Sequence, residues 1–418
     1  MVFCVSPTDR SPISGQLATG RDDGRRAAPL FWMLSALPST ILILYLLLAG
    51  KLFWVPAATY LAVVILGLAG LIVLRDRDWL IRLTLMLGSL NLVVAAPELA
   101  LRVAGYHAPS GVSYGGLRPE FRAYFEADSD LMWRFRQDQP GVNSLGFRGR
   151  EVEIPKPLGK RRLLIIGDSC ADQDYASLLE RALNYQSSSS RSRSEFECVV
   201  LAVPGYSSYQ GKIIAEKYGR LMEADLAFVC FGWNDHWLAY GATDAEMGGG
   251  PAASLTCGLY RSSRLFQLAF EWVHGGDQPP EKVIDMLRVP PAQFRENLVA
   301  INYALAEAGT STVFVTAPTG HEINGVPPYL IEQQLAIDTM AVLTMHQQYA
   351  DIVRGVANET GAGLLDLENR LNGIEQSEDI FTNDGIHFTR LGLKEVAFEM
   401  YKYLQDAGQL NPPNDSNF

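Results

Sequence analysis

The sequence predicts an α/β domain with a five-stranded parallel sheet and helices on both faces, preceded by an apolar helical region. Three observations carry this. Five short apolar runs, at 163–166, 198–203, 226–231, 312–316 and 363–367, alternate with longer stretches of helical periodicity. The first of these runs is apolar throughout, as suits a strand buried on both faces. Ahead of them, residues 30–105 contain the long uncharged segments of the chain.

Residues 1–29 are polar and carry Arg10, Arg21, Arg25 and Arg26, the composition of a disordered tail. Segments 30–50 and 52–74 are uncharged, and each has the roughly 20 residues a helix needs to cross hydrocarbon. A third segment, 79–103, has a shorter uncharged core between Arg82 and Glu98, and is expected to span with those two side chains reaching the interfaces. Two long segments fit poorly with a single cleaved signal peptide. Arginine in the tail and at 75, 77 and 82, against Lys51 alone in the first connection, places the tail in the cytoplasm. Three spans then put everything after about residue 105 outside the cytoplasm.

Residues 106–160 read as a linker or lead-in, rich in aromatics, with Asn143-Ser-Leu-Gly-Phe-Arg-Gly149 as a structured turn. Pro155, Pro157 and Gly159 mark the boundary of a domain over 161–408, and 409–418 is a tail. Within the domain the strand 163–166 runs into Gly167-Asp168-Ser169 and a helix at about 174–186. A Ser/Arg loop occupies 187–194. The strand 198–203 ends in Pro204-Gly205, and a helix at 210–222 follows. The strand 226–231 ends in Gly232-Trp-Asn-Asp235. An insertion at 239–290 holds one amphipathic helix near 259–273. Beyond it come a helix at 292–308, the strand 312–316, one long helix at 329–359 and the strand 363–367. The loop Asp384-Gly-Ile-His387 then precedes a last helix at 390–406.

Parallel strands share one carboxyl edge, which is where open α/β sheets bind ligands. Ser169 lies on the turn from a buried strand to a helix, with its N–H near a helix N-terminus that favours negative charge. Asp384 and His387, three residues apart, fall on one side of a turn, so the carboxylate can orient the imidazole. The roles that follow are Ser169 as nucleophile, His387 as general base and Asp384 as the group fixing its tautomer. The backbone N–H groups of Ser169 and Gly205 and the side-chain amide of Asn234 are three donors for an oxyanion. Each feature alone also reads as a turn, a turn glycine or a helix cap. It is their joint arrival, in order and at strand ends, that points to a site.

Other side chains are weighed against that set. His236 follows Asn234-Asp235 and is a candidate substrate contact, whereas His107, His274, His321 and His346 have no partner pattern. Cys170 adjoins the nucleophile without a base patterned for it and reads as a packing residue. Five cysteines without C-x-x-C or Cys/His spacing give no metal site, and no organic cofactor is implied. A net charge of -11 with no basic stripe excludes nucleic acid as a partner. The order of elements also excludes the G-x-S-x-G arrangement, in which the nucleophile follows several strands.

Gly167-Asp-Ser169, Gly205, Gly232-Trp-Asn-Asp235 and Asp384-Gly-Ile-His387 resemble the four signature blocks of the SGNH (GDSL-type) hydrolases, over about residues 156–408. The resemblance implies a flavodoxin-like three-layer α/β/α fold and ester hydrolysis. It carries the nucleophile to Ser169, the oxyanion donors to Ser169, Gly205 and Asn234, and the rest of the triad to Asp384 and His387. Asn143-Ser-Leu-Gly-Phe-Arg148 is similar to the segment leading into the catalytic domain in bacterial members. The first block departs from the family in continuing as Cys170-Ala-Asp-Gln, where aromatic and Gly residues are common. The expectation is a membrane-anchored, multi-pass serine esterase with an extracytoplasmic catalytic domain. Its partners would be the lipid bilayer and an acyl or acetyl ester of an envelope lipid or polysaccharide. An O-acyltransferase using the same triad and a non-catalytic envelope binding or assembly protein are the rivals.

Overall fold

The computed structural model describes residues 40–41, 78–106, 123–128, 130–189, 195–239, 242–248, 259, 263–274, 286–372 and 379–410. These fall into two compact units. The larger is an α/β unit whose five-stranded sheet comprises β3 (Lys160–Gly167), β4 (Glu195–Ala202), β5 (Leu226–Cys230), β6 (Ser311–Val315) and β7 (Gly363–Leu365). All neighbours are parallel, in the order β4-β3-β5-β6-β7.

Side chains alternate across a strand, and β3 shows the consequence. Leu163 and Ile165 enter one core with Leu179 and Met400, while Leu164 and Ile166 enter the other with Ile214 and Phe294. A sheet covered on both faces needs this continuous apolar run. Chain order reverses on either side of β3, and such a switch point opens a crevice at the carboxyl edge. The register levels that edge: Gly167 lies opposite both Ala202 and Cys230. Only glycine fits there, because a Cβ at 167 would sit 2.7 Å from the Cys230 carbonyl oxygen and 2.7 Å from the Ala171 Cβ.

The segment expected as a linker is part of this unit. Strands β1 (Phe125–Asp128) and β2 (Met132–Phe135) form an antiparallel hairpin. Its Phe125, Met132, Trp133 and Phe135, with Phe147, share the core of Leu164 and Ile166. The buried Arg162 ties the end of the segment down by donating to the Glu153 carbonyl at 2.8 Å. The unit therefore begins well before the expected boundary at 161.

Among the described residues the helices, in the order of the chain, include α1 (Asp78–Val103), α2 (Tyr175–Ser189), α3 (Ser208–Met222), α4 (Asp244–Met247), α5 (Arg264–His274), α6 (Pro291–Glu307), α7 (His321–Asn324), α8 (Tyr329–Glu332), α9 (Thr339–Thr360), α10 (Leu367–Asn372) and α11 (Arg390–Asp406). One long helix over 329–359 is not what forms. Gln334 takes φ +53, and Asp338 begins α9 by accepting from the Ala341 N–H at 2.7 Å. A strong N-cap inside a continuous apolar period splits the predicted helix in two. The Ser/Arg stretch is partly helical, since α2 runs to Ser189, and 190–194 lie outside the described residues.

The smaller unit contains α1 and α5, the longer of the two described helices of the insertion. The expected third span forms as a helix, α1. Among the described residues, however, no helix is long and apolar enough to cross a membrane. Arg82 and Glu98 leave α1 an uncharged core shorter than the roughly 20 residues a span needs. Segments 30–50 and 52–74 and the tail 1–29 lie outside the described residues, apart from residues 40–41, as does most of the C-terminal tail.

Candidate active site

The turn after β3 is built by Asp168. Its carbonyl accepts from the N–H groups of Ala171 and Asp172, and its Oδ1 accepts from the Cys170 N–H at 2.9 Å. This Asx turn fixes the backbone on either side of Ser169. Oδ2 of Asp168 accepts from Asn234 Nδ2 at 3.1 Å, so one carboxylate joins the ends of β3 and β5. Burial raises the Asp168 pKa, opposed by the Cys170 N–H, the charge of His387 and the Asn234 amide.

His387 comes to Ser169 from the loop before α11. Its Nε2 lies 2.8 Å from Ser169 Oγ, and its Nδ1 lies 2.6 Å from Asp384 Oδ2. A proton on Nδ1, donated to the carboxylate, leaves Nε2 to accept from the serine hydroxyl. Asp384 is itself held: Oδ1 accepts from Thr382 Oγ1 at 2.7 Å, the Ile386 N–H at 2.8 Å and the His387 N–H at 2.9 Å. Burial favours the neutral acid, but these donors and the His387 side chain outweigh it and hold Asp384 well below the usual carboxylate range. Burial likewise pulls the His387 pKa down, while Asp384, by hydrogen bond and charge, lifts it above its ordinary value. Both side chains stay reachable, 35% and 24% exposed.

Gly205 follows β4 with φ +85, a left-handed backbone that suits glycine. The turn is propped from below by Trp133 of the hairpin. The Trp133 indole N–H donates to the Pro204 carbonyl at 3.2 Å, and Tyr206 Oη donates to the Trp133 carbonyl at 2.6 Å. Among the described residues, the N–H groups of Ser169 and Gly205 donate to no protein acceptor. They stand with the Asn234 amide at one sheet edge, as stabilising an oxyanion requires.

His236 is not at this edge. It is 2% exposed, packed against Trp233 and Trp237, with Nε2 3.3 Å from His346 Nδ1. A side chain so enclosed does not meet a substrate from solvent, which corrects the expectation. Its neighbour Asp235 is also internal: Oδ1 accepts from the Ser208 N–H at 2.8 Å, and burial pushes its pKa up to about 7. Cys170 packs as expected, 6% exposed, and burial drives its thiol well above the ordinary range, away from nucleophilic use.

Two supports of the triad have no sequence signature. His321 Nε2 donates to the Asp384 carbonyl at 2.7 Å, and its ring lies where a side chain at Gly385 would have to go. Gln173 Oε1 accepts from the Phe388 N–H at 3.1 Å, and its Nε2 donates to the Phe388 carbonyl at 3.4 Å. The departure of the first block from the family pattern thus supplies a side chain that grips the residue after His387. Among the described residues no cluster of three or more His, Cys, Asp or Glu side chains is arranged to hold a metal ion.

The model of the GDSL-like Lipase/Acylhydrolase family matches residues 165–394. Solved structures with a similar chain include a lipase/acylhydrolase from Enterococcus faecalis, at 14% identity and TM-score 0.40, covering 61% of this chain and 99% of that one. A GDSL-like lipase from Parabacteroides merdae ATCC 43184 matches at 12% identity and TM-score 0.39, over 60% of this chain and 96% of that one. An acetyl xylan esterase matches at 15% identity and TM-score 0.36, over 58% and 98%. No curated protein matches the sequence.

Proposed function

Because the chain belongs to the GDSL-like lipase/acylhydrolase family of ester hydrolases, we propose that it is a membrane-anchored serine esterase acting on an acyl or acetyl ester of an envelope lipid or polysaccharide. The observation that carries the catalytic part is the hydrogen-bonded series Ser169–His387–Asp384, at 2.8 and 2.6 Å. His387 takes the hydroxyl proton as Ser169 Oγ bonds to the ester carbonyl carbon. Charge moves onto the carbonyl oxygen, facing the N–H groups of Ser169 and Gly205 and the Asn234 amide. His387 returns the proton to the departing alkoxide, leaving an acyl-serine. Water then repeats the sequence with His387 again as base, releasing the acid and restoring Ser169. Asp384 stays ionised throughout and stabilises the imidazolium.

The anchor is supported by the uncharged segments 30–50 and 52–74 and by the arginine distribution around them. With 79–103 as a third crossing, that distribution puts the catalytic unit outside the cytoplasm, where an envelope ester is the substrate class on offer; with two crossings the unit is cytoplasmic. The test is hydrolysis of a short-chain nitrophenyl ester by the full chain in detergent, beside Ser169→Ala. Turnover by the parent and none by the variant is expected. Equal rates would remove Ser169 from the chemistry. Flotation with vesicles and alkaline carbonate extraction test the anchor separately.

A further inference from the structure

Where their side chains are described, α5 and the second half of α1 turn apolar groups outward and a carboxylate and an amide inward. On a helix packed in water, apolar side chains turn inward and polar ones outward. Here Met86, Leu92, Val93 and Val94 of α1 are exposed, as are Arg82 and Ser89 nearer its start, while Glu98 of the same helix is buried at 6%. On α5, Gln267 is buried, and among the described side chains the exposed set, Leu268, Ala269, Trp272 and Val273, is apolar. Those four positions share one side of the helix, within about 140° at 100° per residue. Trp272 is 85% exposed.

Around Glu98 the described polar groups satisfy one another. Glu98 Oε1 accepts from the Arg264 N–H at 3.0 Å and Arg102 Nε at 2.7 Å. Its Oε2 accepts from Ser263 Oγ at 2.8 Å and the Leu265 N–H at 2.7 Å. Ser263 Oγ also caps α5 by accepting from the Phe266 N–H at 3.0 Å. The first N–H groups of a helix lack partners within it, and where water is absent another group must supply them. Glu98 does this for α5, and Arg264 Nη1 meets Gln267 Oε1 at 2.9 Å.

We infer that α5 is a lipid-contacting helix, lying at the edge of the bilayer with Leu268, Ala269, Trp272 and Val273 among the acyl chains and capped there by Glu98. The inference rests on the membrane-anchored reading above. Polar pairing inward with an apolar exterior matches a hydrocarbon solvent, and the uncharged segments 30–50 and 52–74 precede α1 in the chain. At 1.5 Å per residue, α5 is about 16 Å long, half the roughly 30 Å core, so it lies in the bilayer edge without crossing. Tryptophan is the residue favoured at that depth. In sequence α5 sits in the insertion between β5 and β6, so the bilayer would hold the hydrolase sequence at a second place besides its N-terminus.

The experiment uses the full chain, with Cys4 and Cys257 replaced by Ser, in phosphatidylcholine/phosphatidylglycerol vesicles. A maleimide fluorophore is placed at Trp272→Cys or, as the aqueous reference, at Tyr303→Cys on α6, which is 65% exposed. Both positions are open, so neither change disturbs a core. The expected result is flotation with the vesicles and quenching by nitroxide-labelled lipid several-fold stronger at 272 than at 303. Glu98→Ala should reduce that difference without abolishing flotation, and Glu98→Gln, which keeps an acceptor, should retain most of it. Flotation with equal, iodide-accessible probes would overturn the inference and leave the anchor standing. A probe at 272 shielded from lipid and iodide alike, with crosslinking between copies, would overturn it in favour of a second copy of the chain. Absence of flotation would overturn both readings.

Discussion

His387 and His346 lie in the same α/β unit, and each has both ring nitrogens engaged, yet they titrate in opposite directions. His387 sits between Ser169 and Asp384, and its pKa is raised. His346 sits between the ring of His236 and the Ala317 carbonyl, stacked on Trp233 at 3.9 Å, and burial lowers its pKa to about 4. Both rings suffer desolvation. The difference is that one partner of His387 carries a negative charge, while both partners of His346 are neutral. A hydrogen-bonded histidine becomes a usable base near neutral pH only when its partner compensates the proton it takes up. Without that compensation it stays neutral and serves as a packing group.

The strongest way to break this comparison is to exchange the expected outcomes. Ser169→Ala and His387→Ala should each lower ester hydrolysis by about 10⁴-fold or more, with unchanged thermal unfolding. His346→Leu should do the reverse, lowering the unfolding midpoint while the folded fraction keeps its kcat. Asp384→Asn tests the charge itself, and a loss of about 10³- to 10⁴-fold is expected. In the parent, activity rises with pH as His387 loses its proton, with the midpoint above the ordinary 6.5 because the pKa is raised. Removing the carboxylate should move that limb to lower pH. A limb left in place in Asp384→Asn would deny Asp384 its role.

His346 also predicts acid sensitivity. A histidine with a depressed folded pKa binds its proton more readily when the chain is unfolded. Stability is therefore whole above about pH 6.5 and falls as pH drops towards 4. The window of about 2.5 units corresponds to roughly 3 kcal/mol. Denaturant unfolding at pH 7 and pH 4.5 measures it, and His346→Leu should flatten the slope. An equal slope in the variant would assign the acid loss to other groups.

The sheet was legible because β3 is apolar on both faces and the strands end in small or polar residues. The triad was legible because Asp384 and His387 are three residues apart and Ser169 ends a strand. The placement of His236 was not. A turn bonding the His236 N–H to the Gly232 carbonyl at 3.3 Å sends its ring back into the core, and adjacency to Asn234 carries no information about direction. Trp133 and His321 were missed for a related reason. Each acts on a backbone carbonyl, of Pro204 and Asp384 respectively, and a backbone acceptor leaves no residue type to recognise. The N-cap that splits 329–359 was hidden by an apolar period continuing on both sides of Asp338.

Gln173 offers the smallest and most discriminating prediction. Its amide matches the N–H and carbonyl of Phe388 together, so it fixes the backbone immediately after His387 without touching the imidazole. Two neutral hydrogen bonds, each worth on the order of 1 kcal/mol, set the scale. Gln173→Ala should lower kcat by about tenfold, because a loosened backbone spreads the Nε2 to Oγ distance that proton transfer requires. KM should change little. The pH limb should stay where it is, since the charge facing His387 is intact. Gln173→Glu keeps the acceptor for the Phe388 N–H but adds a carboxylate near the imidazole, and should shift the limb to higher pH. A variant that unfolds earlier yet turns over at the parent rate would make Gln173 a purely structural tie. A fall in kcat with an unmoved limb in Gln173→Ala and a raised limb in Gln173→Glu would show positioning and charge acting separately on the same histidine.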